Sequence, residues 1–194
     1  MAVAQELSAS RKKAAKRLGD TVTAEMQRLA LSGGRFAVDL VSVAPAASGL
    51  EQVEFLVAGH AGVEARPLAK VASGGELSRI SLAIRVVTAQ QVEVPSMIFD
   101  EVDVGIGGGV AEVVGQLLKQ LGEKRQVLVI THLPLVAAQG AQHLRVSKSL
   151  KNGNTLSRFE MLDQRERIEE VARMLGGLEI TETTRRHASE MLGL

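Results

Sequence analysis

The spacing of apolar residues is helical at the start of the chain and becomes alternating after residue 34. Residues 5–31 contain no proline, and Leu18, Val22, Met26 and Leu29 recur there every three or four positions, which predicts a helix with a narrow apolar stripe. A narrow stripe favours a two-helix seam, and an ordinary terminal amphipathic helix is the alternative. The basic cluster on this helix is more typical of a solvated face than of a DNA patch; it comprises Arg11, Lys12, Lys13, Lys16 and Arg17.

An alternating pattern follows Ser32-Gly33-Gly34. The runs RFAVDLVSV and LEQVEFLVA, separated by APAASG, predict a β-hairpin with a long loop. The next stretch, AGHAGVEARPLAK, is predicted to be a loop. From Glu76 to about Gln91 the apolar residues again recur every three or four positions, which predicts a second helix.

A strand, a helix and a second strand are predicted in the middle of the chain. They are PSMIFDEV, GGGVAEVVGQLLKQLGEKR and QVLVITH, an order typical of a parallel sheet covered by helices. Asn152-Gly153 then lies between two strand-like runs and predicts a hairpin turn. Amphipathic helices around IEEVARMLGG and TTRRHASEML complete an α/β fold.

Composition narrows the class of protein only slightly. A chain of 194 residues suffices for one domain with an appendage, and with only 2% aromatic residues its core must be aliphatic. A net charge of +1 demands neither nucleic acid nor an anionic membrane, although the sum would hide a local basic patch. The chain has no cysteine, no signal-like segment and no apolar run of bilayer length, so we expect a cytoplasmic protein with no membrane partner.

The first candidate site is SGGELSR, residues 73–79. A serine and two glycines before a helix leave backbone N–H groups free at the positive end of the helix dipole, where an anion such as phosphate binds. Ser73 and Glu76 also match a capping box, so the motif alone supports an N-cap about equally well.

The second candidate site is IFDEVD, in which Asp100 and Glu101 follow an apolar strand. The carboxyl ends of parallel strands form the usual ligand edge of an open α/β sheet. Neighbouring strand residues point to opposite sides, so the two acids need different tasks. Asp100 is suited to holding a hydrated Mg²⁺ and Glu101 to orienting or deprotonating a water molecule, while a polar strand end is the alternative.

Two further patterns lie near this edge. The run GIGGG begins like a dinucleotide fingerprint, but Val110 stands where the third glycine belongs, so we reject that interpretation. Thr131 and His132 end the next strand. A single histidine is more often structural, yet this one shares a sheet edge with two acids and could contact the same phosphate.

These motifs resemble those of ABC-type ATPases, in the family's order. ASGGELSR resembles the signature motif, MIFDE the Walker B strand and ITH the switch-histidine loop. From about residue 35 to the end, the sequence is similar to the SMC-like branch of this family that acts in bacterial DNA repair. The similarity is carried by four segments: VASGGELSRISLAI, IFDEVDVGIGG, ITHLPLVAAQGAQH and ARMLGG. The resemblance implies that residues 1–32 end a coiled-coil arm and that residues 33–194 form the C-terminal half of an ATPase head.

The resemblance also implies roles for the site residues. Ser73, Gly74, Gly75 and Glu76 would contact the ATP of a second head in a homodimer, and Asp100 would hold Mg²⁺ through water. Glu101 and His132 would be catalytic. The implied function is ATP-driven head dimerisation and hydrolysis with DNA binding, in double-strand break repair and recombination on the nucleoid.

Two departures from the family pattern matter. The chain contains no G-x-x-x-x-G-K-[ST] phosphate loop, so an N-terminal Walker A half must complete the head, and the fragment alone is expected to be inactive. Gly107 occupies the position of the D-loop acid, which leaves Asp103 as the candidate for its role across the interface. The alternatives are a non-hydrolysing DNA-bridging clamp and a fragment of a transporter ATPase.

Overall fold

The chain forms two compact units, residues 1–95 and 96–194. The computed structural model describes residues 2–71, 74–89, 94–100, 102–151, 154–176 and 179–194. Within these ranges, none of the helices combines the length and apolar character that a membrane span requires.

The first unit consists of two helices and an antiparallel sheet in the order β1-β2-β3. Its elements are α1 (Ala2–Arg28), β1 (Arg35–Ala46), β2 (Gly49–Ala58), β3 (Arg66–Pro67), a 3₁₀ turn (Leu68–Lys70) and α2 (Gly74–Ala89). The predicted hairpin is confirmed, with Arg35 opposite Ala58 and Leu40 opposite Val53.

Helix α1 packs against β1, β2 and α2. Val22 and Met26 are fully buried, so the apolar stripe is covered within this unit. The Thr23 hydroxyl donates to the Phe36 carbonyl at 3.2 Å and accepts from the Phe36 N–H at 3.0 Å. A Cβ at Gly19 would lie 3.4 Å from the same carbonyl, so the glycine permits helix and strand to approach closely.

The second unit is built on a parallel pair of strands. Its elements are β4 (Ser96–Phe99), α3 (Gly108–Gly122), β5 (Gln126–Val129), α4 (Pro134–Ala137), β6 (Leu144–Lys151), β7 (Asn154–Met161), α5 (Gln164–Gly176) and α6 (Glu182–Leu192). β4 and β5 pair in parallel from Ser96 opposite Gln126 to Phe99 opposite Val129, which confirms the predicted parallel sheet.

The two faces of this parallel sheet differ in exposure. Phe99 is fully buried, and α3 packs against β5 with Val114 and Leu118 in the core. On the opposite face Ile98 is 66% exposed, and its cross-strand neighbour Leu128 is 41% exposed. Parallel strands are normally covered on both faces, so this apolar face lacks its usual cover in the described part of the chain.

The end of the chain carries a hairpin and two packed helices. β6 pairs with β7 in antiparallel register from Leu144–Met161 to Lys151–Asn154. The turn predicted at Asn152-Gly153 lies outside the described residues. Val171, Ala172 and Ala188 form a fully buried contact between α5 and α6.

The structure corrects the sequence predictions in three places. The stretch predicted as loop before the signature contains β3, which pairs with β2 through Arg66 and Pro67, and a 3₁₀ turn. β5 ends at Val129, before Thr131 and His132. The short helix α4 was not predicted, although Pro134 at its first turn is a helix-start signal. The division at residue 32 stays a prediction.

Candidate nucleotide site

The signature motif opens helix α2, which begins at Gly74. Ser73 lies outside the described residues. Gly74 is exposed, and a Cβ added there would meet no atom within 4 Å, so the first turn of the helix is sterically open. Open backbone at a helix N-terminus is the geometry that anion binding requires.

The side chain of Glu76 turns toward the end of β2. Its Oε1 lies 3.2 Å from His60 Nε2, and a Cβ added at Gly59 would lie 3.3 Å from its Oε2. Glu76 is therefore engaged within its own unit, and Gly59 leaves the room that this carboxylate occupies.

Arg79, the last residue of the motif, connects α2 to the end of α1. Its Nη1 donates to the carbonyls of Leu29 and Ala30, each at 3.3 Å, and its Nε donates to Gly75 at 3.2 Å. These carbonyls lie just after α1, where helices leave backbone acceptors without intrahelical partners. Sequence reasoning assigned no role to Arg79, because its acceptors lie about fifty residues away.

The carboxyl ends of β4 and β5 lie side by side, as the parallel order predicts. The Ile130 N–H donates to the Phe99 carbonyl at 2.9 Å, which continues the pairing past the last strand residue. Asp100 follows directly and is exposed, and the His132 side chain is 73% exposed. Glu101 lies outside the described residues.

Asp103 connects the two loops at this edge and is only 3% exposed. Its Oδ2 accepts from the Thr131 hydroxyl and from the His132 backbone N–H at 3.1 Å, and lies 3.4 Å from His132 Nδ1. The sequence drew attention to Asp103 as a candidate for contact with a second head. In this structure its carboxylate faces the switch loop of its own chain.

Glycines form the connection from Asp103 to α3. Gly105 and Gly108 have φ values of 72° and 52°, a region that side chains rarely adopt. Gly107 is the N-cap of α3, with extended backbone and no side-chain cap. A Cβ at Gly107, Gly108 or Gly109 would meet nothing within 4 Å, so this helix start is open as well.

Helix α4 follows the switch loop and is held close to α3. A Cβ at Gly115 would lie 2.7 Å from Gln139 Cγ and 3.1 Å from the Leu135 carbonyl. Gly115 therefore permits the approach of the two helices. The loop 130–133 is fixed at one end by β5 and at the other by this contact.

The site's fit to Mg²⁺ depends on one described carboxylate. No group of three His, Cys, Asp or Glu side chains gathers among the residues that the structure describes. Mg²⁺ commonly uses only one or two carboxylates and completes its octahedron with water and phosphate oxygens. The exposed Asp100 carboxylate fits that mode.

A charged network lies on the β6–β7 hairpin and α5, apart from the sheet edge. Arg145 pairs with Glu160 at 2.9 Å, and this hydrogen bond lowers the pKa of Glu160 and raises the pKa of Arg145. Glu170 is 6% exposed and pairs with Arg173 at 2.6 Å. Burial, with help from the nearby Arg167, lowers the pKa of His143 below its ordinary value of 6.5.

Comparison with solved structures defines the class of fold. The chain matches the SMC head domain with coiled coil and joint from Pyrococcus yayanosii at TM-score 0.65 and 21% identity, covering 86% of this chain and 31% of that one. It also matches a structure described under the ATP-driven dimerization and DNA-stimulated activation of SMC ATPases. That match has a TM-score of 0.56 and 21% identity, and it covers 82% of this chain and 94% of that one. The fold is therefore that of an SMC-type ATPase head.

Comparison with curated sequences defines the particular relatives. The chain is 48% identical over 194 residues to DNA repair protein RecN of Vibrio cholerae, covering 99% of this chain and 35% of that protein. RecN of Haemophilus influenzae is 47% identical over 195 residues, covering 100% and 35%. No protein-family model matches the chain. The chain is thus similar to RecN over nearly its whole length, and it spans about 35% of the length of these relatives.

Proposed function

We propose that this chain is the C-terminal part of a RecN-like ATPase head that acts in DNA double-strand break repair and recombination. ATP would bridge two heads, and hydrolysis would release them. The observation that carries the proposal is the sheet edge, where a hydrogen bond from Ile130 to Phe99 and one from His132 to Asp103 join the segments that follow β4 and β5. Asp100 and His132 belong to these two segments. The three motifs follow the order of ABC-type ATPases.

In this proposal Asp100, Glu101 and His132 serve the ATP bound by their own head. Asp100 would hold Mg²⁺ through water, and bound Mg²⁺ would offset the charge of the phosphates. Glu101 would position the attacking water and accept its proton. His132 would contact the γ-phosphate from the switch loop.

The signature residues would serve the ATP of the opposite head. Gly74 presents open backbone at the start of α2, and Gly75 follows it in the first turn of the helix. Backbone N–H groups and the helix dipole at this end stabilise phosphate charge. Glu76 would lie beside the ATP of the opposite head while its carboxylate keeps its contact with His60.

The missing phosphate loop would come from an N-terminal Walker A half. About two thirds of the length of the RecN relatives lies outside this chain, since the matched part is 35%. Ile98, Leu128 and Ile130 form an apolar face that is 41 to 66% exposed. Burying that face against the absent half would give the parallel sheet its second cover.

DNA is the third partner in the proposal, and α1 offers the basic surface. Four exposed basic residues lie on one side of the helix. They form two pairs with i, i+4 spacing, Lys12 with Lys16 and Lys13 with Arg17. In the complete protein, a Lys12→Glu, Lys16→Glu double variant should weaken DNA binding and reduce the salt slope by about two. A Lys119→Glu, Lys124→Glu variant on α3 and the turn after it is the matched control. Equal slopes in both variants would remove α1 from the DNA contact.

Mixing two inactive heads tests the proposed dimer directly. Ser73→Arg in the complete protein should leave nucleotide binding by each head intact but abolish hydrolysis, because the arginine would occupy the space above the partner's γ-phosphate. A second variant would carry a mutated phosphate loop. Mixing them forms one composite site with an intact loop and an intact signature, so hydrolysis should partly return. A mixture that stays inactive, although each parent binds as expected, would refute completion by a second head.

A further inference from the structure

Asp103 is a buried carboxylate at an otherwise exposed site. It is 3% exposed, whereas the side chain of its neighbour His132 is 73% exposed. A buried carboxylate is costly unless hydrogen bonds satisfy it, and here the donors come from a single short segment, Thr131-His132. The Asp103 carboxylate therefore accepts its hydrogen bonds from the switch loop, residues 130–133.

The contacts of Asp103 hold the backbone of the loop that carries His132. The backbone N–H of His132 donates to Oδ2 at 3.1 Å, and Thr131 donates its hydroxyl to the same oxygen. The Thr131 oxygen in turn accepts from the Leu133 N–H at 3.0 Å. Three consecutive residues of the loop are thus held by one carboxylate and one hydroxyl.

The ring of His132 also lies near the same oxygen. Nδ1 lies 3.4 Å from Asp103 Oδ2, so Nε2 is the ring nitrogen left for a ligand. An ionised carboxylate only accepts hydrogen bonds, and a neutral imidazole carries its hydrogen on one nitrogen. Asp103 therefore favours the hydrogen on Nδ1.

We propose that Asp103 is a positioning residue that acts within its own chain, fixing the direction and tautomer of the His132 ring. This role replaces contact with a second head, because the carboxylate is buried and accepts hydrogen bonds from its own switch loop. The proposal that His132 faces a phosphate rests on the proposed function. The positioning of the ring by Asp103 does not.

Nitrogen NMR of the chain labelled in its histidines tests the positioning without nucleotide. The chain has four histidines, and His132→Gln assigns the signal. At about pH 8, where an ordinary imidazole is neutral, His132 should carry its hydrogen mainly on Nδ1. Asp103→Asn should keep this form, because an amide oxygen can accept the same bonds. Asp103→Ala should make it the minor form, and the exposed His187 should be unchanged in both.

Two outcomes would overturn the positioning role. One is a wild-type His132 with its hydrogen mainly on Nε2, a result that needs no variant to fold. The other is a folded Asp103→Ala chain, shown by its amide spectrum, with an unchanged tautomer.

Hydrolysis by the complete protein separates this proposal from the proposed function. Asp103→Ala should lower kcat by about 100-fold with little change in the KM for ATP, since a misplaced group mainly affects the chemical step, and Asp103→Asn should restore most of the rate. A wild-type protein that does not hydrolyse ATP would refute the proposed function and leave the tautomer result standing. If Asp103→Ala hydrolysed ATP with the wild-type kcat, the positioning of His132 by Asp103 would have no role in hydrolysis.

Discussion

The backbone nitrogen of His132 donates to the carboxylate of Asp103 at 3.1 Å, which ties the loop after β5 to the turn after β4. These loops follow adjacent parallel strands but are separated by the whole of α3 in the sequence. The bond therefore fixes the sheet edge on which the proposed nucleotide chemistry depends.

Removing this carboxylate should destabilise the second unit. Asp103→Ala leaves the Thr131 hydroxyl and the His132 N–H without their acceptor, and an unsatisfied buried donor costs about 1–3 kcal/mol. We expect urea unfolding to show a loss of about 2 kcal/mol or more. Asp20→Ala, at an exposed position on α1, is the control and should change the stability by about 0.5 kcal/mol or less. Equal effects of the two variants would show that the buried contacts contribute nothing.

Arg79→Ala should loosen the end of α1. Arg79 donates to the carbonyls of Leu29 and Ala30, so its loss removes a cation and hydrogen bonds from a helix C-terminus, worth about 1 kcal/mol. Hydrogen exchange should become faster for the amides of the last turn of α1. Arg85→Ala, at an exposed position on the same helix α2, is the control. Unchanged protection in Arg79→Ala would contradict the link between the signature helix and α1.

His143 should make the second unit sensitive to mild acid. Its pKa is lowered in the folded chain, mainly by burial, so the unfolded chain takes up the proton first as the pH falls below 6.5. Stability should therefore decrease from about pH 7.5 to about pH 5.5. Denaturation at both pH values should show a smaller decrease for His143→Gln. His187→Gln, which removes an exposed histidine, should behave like the wild type, and an equally acid-sensitive His143→Gln would contradict the assignment.

Much of the fold follows from apolar periodicity. The alternation of Phe36, Val38 and Leu40 predicted β1, and the apolar run through Phe99 predicted β4. Apolar periodicity does not predict an element whose formation depends on residues far away in the sequence. β3 is two residues long and is specified by its pairing with β2, not by a pattern of its own.

In the candidate site, too, local sequence patterns were predictable and long-range contacts were not. The motifs identified Asp100 and His132, because residue type and position after a strand carry that information. The contacts of Arg79 with the end of α1 and of Asp103 with its own switch loop were not predicted, because each depends on partners 28 to 50 residues away that only the folded chain brings close. The roles of the residues that the motifs single out stay predictions, and the structure adds the contacts that hold the segments carrying them.

Glu101→Gln distinguishes a turning-over ATPase from a clamp. In the complete protein the amide keeps the size of the side chain but cannot accept a proton, so hydrolysis should fall by about 10²–10⁴-fold while ATP binding persists. Dimers should accumulate with ATP, as measured by light scattering. Unchanged turnover would exclude Glu101 from the mechanism and favour the clamp.

Calorimetric titration with ATP and Mg²⁺ tests the central claim, that this chain is one half of a nucleotide-binding head. We predict no detectable binding by the chain alone, because it lacks the phosphate loop, and binding once an N-terminal Walker A half is supplied. Ile98→Glu on the exposed apolar face should prevent that restoration, whereas Val63→Glu, at an exposed position in the first unit, should not. Micromolar affinity for ATP in the chain alone would contradict the claim.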